Sequence, residues 1–217
     1  MENVENYLSE LKEIRKIMTE SNRFMSLSGL SGILVGIYAL IGSWAAYKVV
    51  YFPFSTFRKV FVDQVFDTLF LIAGIVLIMS LLTGFWLTWR RTKKQGKTIW
   101  NANTRQMLLN VSIPLIAGGL FILVFALRGT YSIAASSCLI FYGLALVSGA
   151  KFSRKELFYM GLFEIGLGLL AAVFPGIGLI FWAVGFGILH IIYGAVMYFR
   201  YETNSKSGEL RNEHDNF

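Results

Sequence analysis

Two ionisable residues stand in long apolar runs near the C-terminal end of the chain, Glu164 in LFEIGLG (162–168) and His190 in ILHIIYG (188–194). An ionisable side chain at the middle of a membrane helix costs about 2.5–3.5 kcal/mol on insertion scales, so each is a candidate functional group. Glu164 lies about 12 residues before the middle of the turn FPGIG (174–178) and His190 about 14 residues after it, which predicts similar depths in neighbouring helices.

A carboxyl group beside an imidazole can share a proton with it. Glu164 and His190 are therefore the candidate proton or polar pair of this chain, with three interpretations: a proton site, a pH sensor or part of a binding pocket. The alternative is structural, a buried hydrogen bond that locks two helices together.

A second set of polar residues occurs in two other apolar segments. Pro114 has no N–H, so it leaves the carbonyl group of Asn110 without its usual helical donor. Together with the serines of SIAASSC (132–138) this predicts a candidate polar cavity. Its residues are Asn110, Ser112, Ser136 and Ser137.

The sequence lacks the common catalytic and metal-binding motifs. There is no glycine-rich phosphate loop, no HExxH and no pair of carboxylates at metal spacing. The chain has one cysteine, Cys138, and two histidines, which excludes a cysteine-based metal site. We therefore expect no enzymatic activity, no cofactor and no metal.

The segments that must position these residues are membrane helices. The chain is 55% hydrophobic and only 15% charged, whereas about a quarter of the residues of soluble proteins are charged. A spanning helix needs about 20 mostly apolar residues. Six segments qualify, and the sequence predicts an all-α polytopic membrane protein with six transmembrane helices. They fall at about 27–48, 66–89, 107–127, 131–150, 157–174 and 177–199, within a transmembrane domain of residues 26–200.

The distribution of basic residues predicts the topology. Sixteen of the 20 lysines and arginines lie in the N-terminal arm, in the loops after the second and fourth helices and at the C-terminal end. Because short cytoplasmic loops are enriched in these residues, both termini are expected in the cytoplasm and the helices are expected to form three hairpins. Topology thus explains the formal charge of +7, and nucleic acid is not an expected partner.

The two ends of the chain differ from its middle. In the arm (1–25) Val4, Tyr7, Leu11, Ile14 and Met18 follow heptad spacing, which predicts a cytoplasmic amphipathic helix. The polar tail (201–217) has no periodicity and is expected to be disordered.

Small residues within the spans predict close helix packing, because glycine lets backbones approach each other. The packing candidates are Gly32, Gly36, Gly187 and Gly194.

The last two helices resemble the repeats of the HdeD-like family, small six-helix bacterial membrane proteins associated by name with acid resistance. Those repeats run from a glycine to a proline seven residues on, followed by a helix with two glycines seven apart. Gly168-LLAAVF-Pro175 and Gly187-ILHIIY-Gly194 reproduce that spacing over residues 161–200. The resemblance implies a stress-related protein of the bacterial inner membrane and carries over no catalytic residue.

The leading functional interpretation is a non-enzymatic integral membrane protein of the bacterial envelope, stress- or pH-responsive through Glu164 and His190. One alternative is a small transporter or channel that works as a homo-oligomer. Another is a membrane anchor that regulates a soluble cytoplasmic partner through residues 2–23. The expected partners are the lipid bilayer, a second copy of the chain or that soluble protein.

Overall fold

The structure is a computed structural model. It describes Tyr7, Leu11, residues 29–51 and 62–94, Trp100 and residues 102–203. The predicted amphipathic arm (1–25), apart from its two single described positions, and the predicted disordered tail from residue 204 onward lie outside the described residues.

Throughout the described ranges the regular structure is helical and no strand occurs, which confirms the predicted all-α class. Six helices are long and apolar enough to cross a membrane. The first five are α1 (Gly29–Tyr51), α2 (Val62–Lys94), α3 (Ala102–Leu127), α4 (Ala134–Gly149) and α5 (Lys155–Val173). The sixth, α6, follows a 3-10 turn at Pro175–Ile177 and combines four consecutive helical segments: Gly178–Trp182, Ala183–Leu189, His190–Met197 and Tyr198–Thr203.

Helix α2 is longer than a bilayer requires. Its 33 residues extend roughly 50 Å at 1.5 Å per residue, against a hydrocarbon core of about 30 Å. The last turn carries Arg91, Lys93 and Lys94. These cations therefore fall where the helix passes beyond the apolar layer.

The helices pack in a definite order. Helix α1 lies between α2 and α6, and α4 lies between α3 and α5 while also contacting the first turn of α6. The most extensive contact joins α4 and α5. Helices α2 and α3 are peripheral, since almost none of their apolar residues is buried within the chain. Such apolar outer faces are those that lipid covers in a membrane protein.

Glycines bring α1 and α6 into backbone contact. A Cβ atom added at Gly32 would lie 2.9 Å from the Cα of Gly194, and one added at Gly36 would lie 2.6 Å from the carbonyl oxygen of Gly187. The structure thus places all four packing candidates at this one interface. The pairing of early α1 residues with late α6 residues makes the two helices antiparallel.

Helices α4 and α5 approach each other in the same way. A Cβ atom at Gly143 would lie 2.6 Å from the carbonyl oxygen of Gly161, and one at Gly161 would lie 2.7 Å from the carbonyl oxygen of Gly143. Two turns further along α5, Gly168 faces Ile140 of α4. This glycine-lined crossing fixes the depth at which α5 presents Glu164 to its neighbours.

Helix α6 is irregular at the point where it passes Glu164. Residues Ala183–Leu189 are π-helical, and regular α-helix resumes at His190. A π-helical turn widens the backbone ring and is frequently found at functional sites. Here it directly precedes the histidine of the predicted pair.

Candidate functional site

The carboxyl group of Glu164 is fully buried in the protein. Its side chain projects from α5 towards α6, where a Cβ atom at Gly185 would lie 2.5 Å from Oε2. The side chain of Leu139, from α4, lies equally close to that Cβ position, so α4, α5 and α6 meet here. The residue has 0% of its surface exposed, and neither carboxyl oxygen has a hydrogen-bond partner among the described residues. A buried polar group without a partner costs about 1–3 kcal/mol, so this carboxyl group needs an explanation.

His190 lies beside that carboxyl group. Its Nδ1 atom is 3.7 Å from Oε1 of Glu164, which is within ion-pair distance and beyond hydrogen-bond distance. The same Nδ1 atom is 3.1 Å from the carbonyl oxygen of Gly185, five residues back in the π-helical turn. The structure therefore brings together the two residues that the sequence singles out. The hydrogen bond of Nδ1, however, goes to the backbone carbonyl of Gly185 and not to the carboxyl group.

Tyr142 completes the site from α4. Its Oη atom is 2.8 Å from Nε2 of His190, and the two rings stack with centroids 5.5 Å apart. Phe186 packs against both rings, at 5.0 Å from Tyr142 and 5.9 Å from His190. Each of the helices α4, α5 and α6 thus contributes one polar side chain. We call Tyr142, Glu164 and His190 the polar core.

The polar core holds two groups that can change charge, and both are buried in the protein. With one proton between them, Glu164 and His190 are neutral as a pair, either as acid and imidazole or as carboxylate and imidazolium. Removing that proton leaves a buried carboxylate with no counter-charge, and adding a second leaves a buried imidazolium with no counter-charge. Either change is costly in a low-dielectric interior. The arrangement can therefore couple proton binding to the stability of the helix packing.

The four residues of the predicted polar cavity lie in two separate places. Helices α3 and α4 run antiparallel, with Val111 opposite Gly149. Asn110 and Ser112 are therefore level with the C-terminal end of α4, whereas Ser136 and Ser137 are buried near its N-terminal end, roughly 18 Å away at 1.5 Å per residue.

Two of these residues are bonded to their own helix backbone. Asn110 donates to the carbonyl oxygen of Gln106 at 2.8 Å, and Ser136 donates to that of Ile133 at 2.9 Å. These bonds give both side chains a hydrogen-bond partner within their own helix.

Sequence reasoning did not identify Tyr142 and Gly185 as parts of the site. A weak internal similarity aligns Tyr142-Gly143 in α4 with Phe186-Gly187 in α6, and the rings of Tyr142 and Phe186 do pack together. A similarity of this kind relates the two segments to each other and does not place Tyr142 beside Glu164 or His190. The role of the Gly185 carbonyl depends on the π-helical turn, which no feature of the sequence indicates.

Within the described ranges, no group of three histidine, cysteine, aspartate or glutamate side chains is arranged to hold a metal ion. Searches of protein-family models, of curated proteins and of solved structures find no match for this chain. The class of protein therefore follows from the fold alone. Its six long apolar helices indicate a multi-pass integral membrane protein.

Proposed function

We propose that this chain is a non-enzymatic membrane protein of the bacterial envelope that responds to pH through Glu164 and His190. The observation that supports this proposal is the carboxyl group of Glu164, which is fully buried, lacks a hydrogen-bond partner among the described residues and lies 3.7 Å from the imidazole. A purely structural glutamate would be expected to accept hydrogen bonds from its neighbours. A carboxyl group that gains and loses a proton can do so more readily when no hydrogen bond to its oxygens favours one of its two protonation states.

The location and orientation belong to the same proposal. The segregation of basic residues supports cytoplasmic termini and three hairpins that open towards the cytoplasm. The resemblance of residues 161–200 to HdeD-like repeats supports the bacterial inner membrane and a role in envelope stress. The full burial of Glu164 favours a sensing role over an open channel, which would bring water to this residue.

Infrared spectroscopy of the protein in nanodiscs tests whether Glu164 changes protonation. A protonated carboxyl group has a carbonyl stretching band that a carboxylate lacks, and subtracting the spectrum of Glu164→Gln isolates the band of this one residue. We expect the band to be present at acidic pH and to disappear reversibly as the pH is raised from about 4 to about 9, the range that brackets ordinary carboxyl and imidazole groups.

The matched control is Glu156→Gln, the same chemical change at the beginning of α5. Glu156 lies 3.0 Å from Arg200 and is remote from the polar core, so this variant should retain the band of Glu164. A band of constant intensity over the whole range, or no band at any pH, would show that Glu164 does not titrate in the folded protein, and the proposed function would then be wrong.

A further inference from the structure

The hydrogen bonds of His190 define which of its nitrogens carries the hydrogen. The carbonyl oxygen of Gly185 can only accept, so the Nδ1 atom 3.1 Å away must donate to it. In the neutral imidazole one nitrogen is a donor and the other an acceptor. Nε2 is therefore the nitrogen without a hydrogen, and it accepts a hydrogen bond from the hydroxyl group of Tyr142 at 2.8 Å.

This tautomer determines where His190 can bind a second proton. The nitrogen nearest to Glu164 already bears a hydrogen, so the imidazole cannot take a further proton there. The one free lone pair of the ring is on Nε2, on the opposite edge and facing α4. A proton cannot pass directly from Oε1 of Glu164 to Nδ1 of His190, because Nδ1 already bears the hydrogen that it donates to the Gly185 carbonyl.

We propose that Tyr142 is the positioning residue of the proton site: His190 takes up its second proton at Nε2, and the hydroxyl group of Tyr142 turns from donor to acceptor to hold it. In that step an N–H bond forms at Nε2 with a proton from solvent, and no bond of Nδ1 breaks. The imidazolium so formed keeps its Nδ1–H on the Gly185 carbonyl and lies beside the carboxyl group of Glu164. This inference rests on the proposed function and deepens it, since it names the atom at which the proton binds.

Other titratable groups occur on the helices packed around the polar core. On α1, Tyr38 is directed to α2, where it accepts from Thr83 at 3.4 Å. On α5, Glu156 pairs with Arg200 at the far end of the helix. Near the core, Cys138 lies on α4, and Tyr193 lies on α6, where it packs against Leu146, Leu157 and Met160.

The first test is the tautomer of His190 in the wild-type fold. With ¹⁵N-labelled histidine and the background substitution His214→Asn, His190 is the single labelled residue. At about pH 9 we expect nitrogen shifts of a neutral ring with its hydrogen on Nδ1. A hydrogen on Nε2 alone, or hydrogens on both nitrogens at that pH, would overturn the proposal.

The second test is the pH at which the ring becomes doubly protonated. In Tyr142→Phe the Nε2–H of the imidazolium loses its acceptor, and hydrogen bonds to charged groups are about twice as strong as neutral ones. The midpoint should therefore move to lower pH by roughly one unit. Tyr159→Phe is the matched control, because Tyr159 is exposed on α5 and its ring contact is with Phe158. An unchanged midpoint in Tyr142→Phe would overturn the proposal.

These results separate the two claims. If Glu164 fails to titrate in the infrared experiment, the proposed function fails, whereas the tautomer of His190 is read independently of it. If Tyr142→Phe does not fold, the tautomer of the wild-type protein still decides whether Nε2 is the free nitrogen. If Glu164 titrates and the ring carries its hydrogen on Nε2, the proposed function survives and the inference about Tyr142 is wrong.

Discussion

At the level of single residues, the buried carboxyl group of Glu164 lowers the stability of the fold. It is fully buried, its oxygens have no hydrogen-bond partner among the described residues, and the nearest cationic candidate is 3.7 Å away. The imidazole does not need the carboxyl group, because His190 already bonds to Gly185 and Tyr142. Stability alone therefore does not explain a glutamate at this position.

Replacing this glutamate by an apolar residue of similar length should stabilise the protein. Glu164→Met removes two oxygens that have no hydrogen-bond partner among the described residues, and methionine adapts to irregular packing. We therefore expect the free energy of unfolding in detergent to rise by about 1 kcal/mol or more. Leu162→Met, on the exposed side of the same helix, is the control and should change it little. If Glu164→Met unfolds more readily by a similar amount, the carboxyl group is a helix-locking group and not a proton site.

The chemistry of single residues was only partly visible in the sequence. Glu164 and His190 could be predicted because ionisable side chains are costly, and therefore rare, in apolar runs. Tyr142 could not, because tyrosine is a common residue of membrane helices and nothing in its spacing shows which neighbour it meets.

At the level of helices, glycine contacts set the positions of α5 and α6. The α4–α5 crossing holds Glu164 at its depth, and the α1–α6 crossing lies on the helix that carries His190. Because backbones meet at both crossings, there is little room for any added atom.

Adding one methyl group at the α1–α6 interface should force the two helices apart and destabilise the protein. In Gly36→Ala the new Cβ atom would lie 2.6 Å from the carbonyl oxygen of Gly187, which is backbone and cannot swing aside. We expect a loss of about 1–3 kcal/mol in the free energy of unfolding in detergent. Gly74→Ala, on α2, has nothing within 4 Å of its Cβ atom and should stay within about 0.5 kcal/mol of the wild type. Equal stability of the two variants would contradict this account of the interface.

The helices themselves were well predicted, and their local geometry was not. Long apolar runs identify spanning segments because an unpaired backbone group is so costly in lipid, and all six are present. The π-helical turn at Ala183–Leu189 is different. It depends on how α6 fits against its neighbours, and a helix that is apolar on all sides carries no periodicity that would show it.

At the level of the whole molecule, the polar core is placed where three of the six helices meet. Helices α4, α5 and α6 each provide one of its side chains, and α6 in turn packs along α1. A change of charge in the core therefore acts on the central packing of the bundle, while α2 and α3 remain at the periphery. Under the proposed function, a proton bound at this position would act on the central packing.

The measurement that tests this account most directly is the thermal stability of the protein in nanodiscs from about pH 4 to about pH 9, for the wild type, Glu164→Gln and His190→Ala. We predict a wild-type maximum at intermediate pH, where the pair holds one proton and is neutral. Stability should fall at higher pH, as an unpaired carboxylate is left in the core, and at lower pH, as an imidazolium is left without a counter-charge. Glu164→Gln should lose the fall at high pH and His190→Ala the fall at low pH. Three profiles of the same shape would contradict the account, because neither residue would then couple protons to the fold.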